Sequence, residues 1–235
     1  MDTEARLLIH PSDQPSPFTS TVTDVNEDWI RLASTEFYPT GGGQPHDTGS
    51  MSWNEGRCQV IDVKGRNEVL HQIEGELPVV GTIVDCSIDA PRRIRLAQMH
   101  TAQHLASALA DEVWGAETVG NQIGIETTRI DLKFEDRDAF DPLDLIERIN
   151  DEIRSNHAVR MDHRSLDNLR NDPNVRISLD RIPNVSSLRT IEIEDIDVCP
   201  CAGTHVGSTG EIPEVAFDAS KSKGAGKLRV SYRFA

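Results

Sequence analysis

Two short segments constrain this chain more than anything else in it: Met99-His100-Thr101-Ala102-Gln103-His104-Leu105 and Cys199-Pro200-Cys201-Ala202-Gly203-Thr204-His205-Val206. The Ala-rich surroundings of the first predict a helix, and a spacing of four then puts His100 and His104 on one face, within reach of a single metal ion. Cys201 and His205 repeat that spacing about a hundred residues later. Imidazole and thiolate are the usual ligands of zinc, and ligand pairs from distant segments pin a fold. The set therefore predicts one zinc ion per chain, held by His100, His104, Cys201 and His205. One HxxxH pair alone is weak; the second half-site with cysteine is what carries the prediction. Cys199 is the alternative thiol, and Cys201 is preferred because its spacing to His205 matches that of the histidines. Four protein ligands describe a closed structural site, whereas a catalytic site usually keeps a position for water, so both uses stay open here.

At 235 residues the chain has room for two domains, each with its own core. The opening residues are acidic and without a signal-length apolar run, and no later stretch approaches a membrane span, so the expectation is a soluble, cytoplasmic protein. Cys58 and Cys86 sit in strand-like runs and are expected to be small buried apolar residues. The net charge of −15 is more acidic than solubility requires and points to a salt-loving source.

Up to Asp89 the chain reads as short strands between turns. Phe18, Ser20 and Val22 alternate with Thr19, Thr21 and Thr23, and residues 29–33, 58–63 and 82–88 are further β-branched runs, parted by Asn26-Glu27, Asn54-Glu55-Gly56 and Gly65-Arg66-Asn67. Residues 1–90 are thus expected to form a small β-barrel domain. At Asp89-Ala90-Pro91 the composition changes. Pro91 suits a first helical turn, and Met99, Ala102, Leu105, Leu109 and Val113 form one apolar stripe that Gly115 ends. A strand is predicted at 128–134, and a helix opened by Asp141 and Pro142 with the stripe Leu145, Ile146, Ile149 and Ile153. A short helix at 166–171 and strands at 189–193, 214–217 and 228–234 follow. The fold class is α+β: an N-terminal barrel, then over 91–235 a mainly antiparallel sheet with packed helices.

Two further stretches are candidates for binding. Gly41-Gly42-Gly43, followed by Gln44-Pro45, is unsuited to helix or strand and requires positive φ values or a backbone that approaches a ligand closely. Residues 220–229 hold Lys221, Lys223 and Lys227, three of the five lysines in an acidic chain, which reads as a local phosphate-binding patch. Arg92, Arg93 and Arg95 are candidates to extend it.

The segments HTAQHLASAL and CAGTHVGSTGEI resemble the zinc-binding halves of the editing domain of alanyl-tRNA synthetase, shared more distantly with threonyl-tRNA synthetase. TEFYPTGGGQPHDTG is similar to the glycine-rich motif that precedes that domain, and SKSKGAGKLRVSY to its C-terminal basic strand. From about Thr35 to the C-terminus the chain thus resembles the freestanding alanyl-tRNA editing proteins of the AlaX family, medium form. That resemblance implies a zinc-dependent hydrolase that removes serine or glycine wrongly esterified to the alanine tRNA, with the acylated tRNA as partner and the oligomeric state open between monomer and homodimer. It implies zinc on His100, His104, Cys201 and His205, with residues 91–235 as the editing domain. His100, His104 and Gln122 are then the catalytic candidates, Gln122 ranking first for the serine hydroxyl. Gly41, Gly42, Gly43, Gln44, Thr101, Thr204, Lys221, Lys223 and Lys227 are the substrate-binding candidates, and Gln103 is a further polar lining residue. Ile125 stands where the family's Gln-x-Gly-Ser pattern has serine. A rival reading is a zinc-stabilised RNA-binding module without activity. A general metallohydrolase of small esters is a weaker third, because no acidic base lies in the first motif as it does in HExxH enzymes.

Overall fold

The computed structural model describes residues 15–65, 68–176 and 187–235; part of the expected turn at 65–67 lies outside them. The chain forms two compact units that divide between Arg95 and Leu96, inside helix α1 (Ala90–Trp114).

In the first unit, antiparallel strands close the expected barrel in the order β1 (Phe18–Asn26), β2 (Trp29–Leu32), β5 (Leu70–Gly75), β4 (Gly56–Lys64), β3 (Gly49–Trp53), β6 (Ile83–Ile88). Closure removes the sheet edges that such short strands would otherwise expose. In β6 the period of two is regular, with Val84, Cys86 and Ile88 buried and Ile83, Asp85 and Ser87 exposed. β4 begins in the same way with Cys58 and Val60, and a bulge between Val60 and Asp62 moves the next buried position to Val63. Cys58 and Cys86 are core residues, as expected, and burial pushes their thiols up to about 11 and about 12. β3 and β5 carry no β-branched run and so escape a sequence pattern: Met51 alone, and His71 with Ile73, are their buried positions. His71 is fully buried, with Nε2 2.8 Å from the Thr35 hydroxyl, and burial pushes its pKa down to about 4.

The glycine run has a structural explanation. Gly41 and Gln44 exchange backbone hydrogen bonds of 3.0 and 2.9 Å around a two-residue turn in which Gly42 and Gly43 have φ of 58° and 85°. A turn with two consecutive positive φ values is one that glycine supplies without strain. Just beyond it, Asp47 is buried and accepts the Tyr38 N–H at 2.6 Å and the Arg93 Nε–H at 2.9 Å. Arg93 also donates to the Glu36 carbonyl, and Arg92 donates to the His46 carbonyl at 2.9 and 3.1 Å. The guanidiniums of Arg92 and Arg93 tie the helix start to the loop, and Arg93 is 4% exposed.

In the second unit α1 is enclosed on all sides. Leu96, Ala97, residues 99–106 and residues 108–110 are all buried. The single stripe read from the sequence is therefore only part of its apolar surface, and Val113, assigned to that stripe, is 40% exposed because the enclosure ends at Ala110. Gly115, with φ of 61°, stops the helix. One sheet has the order β12 (Val215–Gly224), β13 (Lys227–Phe234), β8 (Thr128–Lys133), β7 (Glu117–Gln122). Another has the order β11 (Asp197–Pro200), β10 (Leu188–Ile193), β9 (Val159–Arg164), and every pairing is antiparallel. α2 (Pro142–Ser155) opens as expected, with the Asp141 carboxylate accepting the Leu143 N–H at 2.8 Å, and buries Leu145, Ile146, Ile149 and Ile153. A short α3 (Leu166–Arg170) follows β9. Residues of α2, β8, β9, β10, β12 and β13 share one apolar cluster with α1. Among the described residues no helix is long and apolar enough to cross a membrane.

Candidate metal centre

His100 and His104 lie on the enclosed part of α1, 2% and 5% exposed, while Cys201 and His205 belong to the loop that follows β11. That loop is held at both ends. Cys201 N–H bonds to the Arg189 carbonyl at 3.1 Å, and Val159 N–H bonds to Gly207 O at 2.9 Å. The Glu211 carboxylate accepts the N–H groups of Gly207 and Ser208 at 3.0 Å each. Within it, the Gly203 N–H points at the Cys201 sulfur, 3.3 Å away.

The Cys201 Sγ is 3.6 Å from His100 Nε2 and 3.4 Å from His205 Nε2, and one ligand atom from each of His100, His104, Cys201 and His205 lies within 4.8 Å of the others. A tetrahedral zinc ion with ordinary Zn–S and Zn–N bonds separates sulfur from nitrogen by about 3.6 Å and nitrogen from nitrogen by about 3.3 Å. Three imidazoles and a thiol at this separation are a donor set that fits such an ion.

The electrostatics favour the ligand forms of Cys201 and His205. Burial pushes the Cys201 thiol up, but His100 and His205 outweigh it and hold the thiol well below its usual range. Burial, with His100 beside it, pushes the His205 imidazole well down. Burial also pushes His104 down, yet the Asp197 hydrogen bond and Cys201 outweigh it and raise His104 to about 10.

Around the cluster the expected residues take different places. Thr101, expected to meet substrate, is fully buried and its hydroxyl is already used. It donates to Ala97 O at 2.9 Å and accepts from His205 Nδ1 at 3.1 Å and from Val206 N–H at 3.3 Å. Thr204 is buried in the ligand loop. Gln122 is exposed at the end of β7, where its carboxamide oxygen accepts from Arg129 Nε at 3.0 Å. Gln103 is buried, donates to Ser107 Oγ at 2.7 Å and accepts from Asn121 at 3.3 Å. Gly41, Gly42, Gly43 and Gln44 belong to the barrel unit, with Gln44 fully buried. Lys221 and Lys223 are exposed on β12, the edge strand of its sheet, and Lys227 pairs with Gly224 across the hairpin. Cys199 lies outside the four-residue cluster, near His104 and Asp197. Asp197 is the site residue that sequence reading misses: its Oδ2 is 2.9 Å from His104 Nδ1. The one signal for it is an acidic residue just ahead of the cysteine pair.

The model described as tRNA synthetases class II (A) matches residues 2–92, and that described as threonyl and alanyl tRNA synthetase second additional domain matches residues 188–231. The similarity therefore extends further toward the N-terminus than the motifs from Thr35 onward. The alanyl-tRNA editing protein AlaX-M of Saccharolobus solfataricus is 33% identical over 221 residues, covering 92% of each chain. Alanine–tRNA ligases of Methanopyrus kandleri and Halorubrum lacusprofundi are 36% and 35% identical over 89% and 90% of this chain. The chain spans about a quarter of the length of those ligases, 24% in each case. The chain belongs to the family of alanyl-tRNA editing proteins, AlaX.

Proposed function

We propose that the chain is a zinc-dependent aminoacyl-tRNA deacylase that acts in trans on alanine tRNA carrying serine, and on its glycyl counterpart. The observation that carries this reading is the meeting of His100, His104, Cys201 and His205 in a member of this family. The chemistry explains the need. A site built for alanine accommodates serine at a cost of only a few kcal/mol, so a second, hydrolytic sieve is required.

His100, His104, Cys201 and His205 would hold the ion, which would supply Lewis-acid chemistry to the ester and a fixed point for the aminoacyl-adenosine end. The Gly203 N–H stabilises the thiolate form of Cys201. Arg129 holds the carboxamide oxygen of Gln122, which leaves the amide NH2 group as the donor for the serine hydroxyl. Thr204 lines the site from the ligand loop. Lys221, Lys223 and Lys227 meet phosphates of the acceptor end, a local attraction within a chain whose net charge of −15 repels RNA at long range. In the barrel unit, the Gly41–Gln44 turn, with Gly42 and Gly43 exposed, is the candidate substrate contact.

The burial and four-ligand closure of the cluster favour one other reading, a structural zinc site in an RNA-binding module without turnover. Incubation with alanine tRNA charged with serine separates the two. Release of serine that disappears in His104→Ala supports the deacylase; tight binding with no release by the folded, zinc-loaded chain supports the module.

A further inference from the structure

We propose that Asp197 and Thr101 are positioning residues of the centre, each locking one imidazole in the tautomer whose Nε2 faces the ion. The proposal rests on the zinc reading above and adds residues that no ligand set contains.

The donor and acceptor inventory settles the directions. Thr101 has a single hydroxyl proton, and it goes to the Ala97 carbonyl at 2.9 Å. Toward His205 Nδ1, 3.1 Å away, its oxygen therefore accepts, and Nδ1 of His205 carries the proton. The lone pair is left on Nε2, which is 3.4 Å from the Cys201 sulfur. An ionised carboxylate likewise only accepts, so the 2.9 Å contact between Asp197 Oδ2 and His104 Nδ1 puts the proton of neutral His104 on Nδ1 as well. One imidazole is anchored by a carboxylate and the other by a hydroxyl, both from buried side chains: Asp197 is 6% exposed and Thr101 0%.

Asp197 also lies within ligand distance of Cys199 and His104, which raises the question of whether it binds the metal itself. Its 2.9 Å contact is a hydrogen-bond distance, shorter than the roughly 3.3 Å that separates two ligand atoms across a tetrahedral ion. Charge gives the carboxylate a second effect. A divalent cation, one thiolate and one carboxylate sum to zero, which lowers the cost of holding the ion among largely buried side chains. Thr101 contributes orientation alone, and Asp197 contributes orientation and charge.

The test is the zinc affinity of the metal-free chain, measured by competition with a chromophoric chelator, for the wild type, Asp197→Ala, Asp197→Asn, Thr101→Val and His104→Ala. Circular dichroism checks that each is folded. Asp197→Ala and Thr101→Val are expected to weaken binding by about 10–100-fold. Asp197→Asn keeps an acceptor but no charge, and is expected to lie between Asp197→Ala and the wild type. In the zinc-loaded wild type, nitrogen-15 NMR should show protonated Nδ1 on His104 and His205. Wild-type affinity in folded Asp197→Ala and Thr101→Val, with binding lost in His104→Ala, overturns the positioning role and leaves the zinc reading intact. Wild-type affinity in His104→Ala overturns the zinc reading itself. Where Asp197→Ala or Thr101→Val does not fold, Asp197→Asn decides: weaker binding supports the proposal and unchanged binding overturns it.

Discussion

The sulfur of Cys201 lies 3.6 Å from Nε2 of His100, a residue 101 positions earlier in the chain, whereas the neighbouring Cys199 sulfur faces the Pro200 carbonyl at 3.6 Å. The two thiols therefore have separate fates, and burial together with Asp197 keeps the Cys199 thiol well above its usual range. Cys201→Ser should abolish stoichiometric zinc retention after purification, and Cys199→Ser should leave it at one ion per chain. Metal analysis by mass spectrometry reads both. Retention by Cys201→Ser and loss by Cys199→Ser would move the site to the other cysteine.

His71 makes the stability of the chain pH-dependent. Its folded pKa is depressed from 6.5 to about 4 by burial, so its contribution is complete above 6.5 and is lost as pH falls toward 4, where the unfolded chain binds the proton and the folded one does not. The loss amounts to about 3 kcal/mol. Urea unfolding followed from pH 7 to pH 4 should show that slope, and His71→Gln should flatten it. An equal slope in the variant would assign the acid sensitivity to other groups.

Arg93 and Asp47 form a buried ion pair that fixes the glycine loop to the start of α1. Removing the cation alone strands a carboxylate that is 0% exposed. Arg93→Met is expected to cost about 3–5 kcal/mol in chemical unfolding, and adding Asp47→Asn should recover much of it. A cost below about 0.5 kcal/mol would show that the pair does not hold the loop.

Chemistry was more legible in the sequence than layering. The two ligand pairs, the Asp141 cap, the barrel and the helix end at Gly115 each follow from local spacing or backbone preference, and the structure has all of them. What escaped depends on contacts between remote segments. The bonds of the Thr101 hydroxyl to Val206 and His205, and of Arg93 to Asp47, join residues that no local spacing links. β5 was hidden because a buried histidine stands where an aliphatic residue would mark a strand. The enclosure of α1 has the same cause, since a helix covered on several sides carries no single stripe that periodicity can isolate.

The exposed lysines of the β12–β13 hairpin carry the RNA prediction. Arg229 beside them is committed to Asp131 at 2.7 and 2.8 Å, and its guanidinium holds that carboxyl below the usual range; Lys221, Lys223 and Lys227 are the cations we propose for phosphate. Replacing all three with serine should weaken tRNA binding and reduce the slope of log affinity against log salt by about 2–3. Filter binding over a salt series measures this; an unchanged slope would remove the hairpin from the interface.

The central claim is that two remote ligand pairs make one zinc centre on which ester hydrolysis depends. Its most direct measurement is the rate of serine release from serine-charged alanine tRNA by one preparation as purified, after chelation to below a tenth of an ion per chain, and after zinc is restored. The account predicts loss of serine release in step with the metal and its recovery on add-back. An undiminished rate in the demonstrably metal-free, folded chain would contradict it.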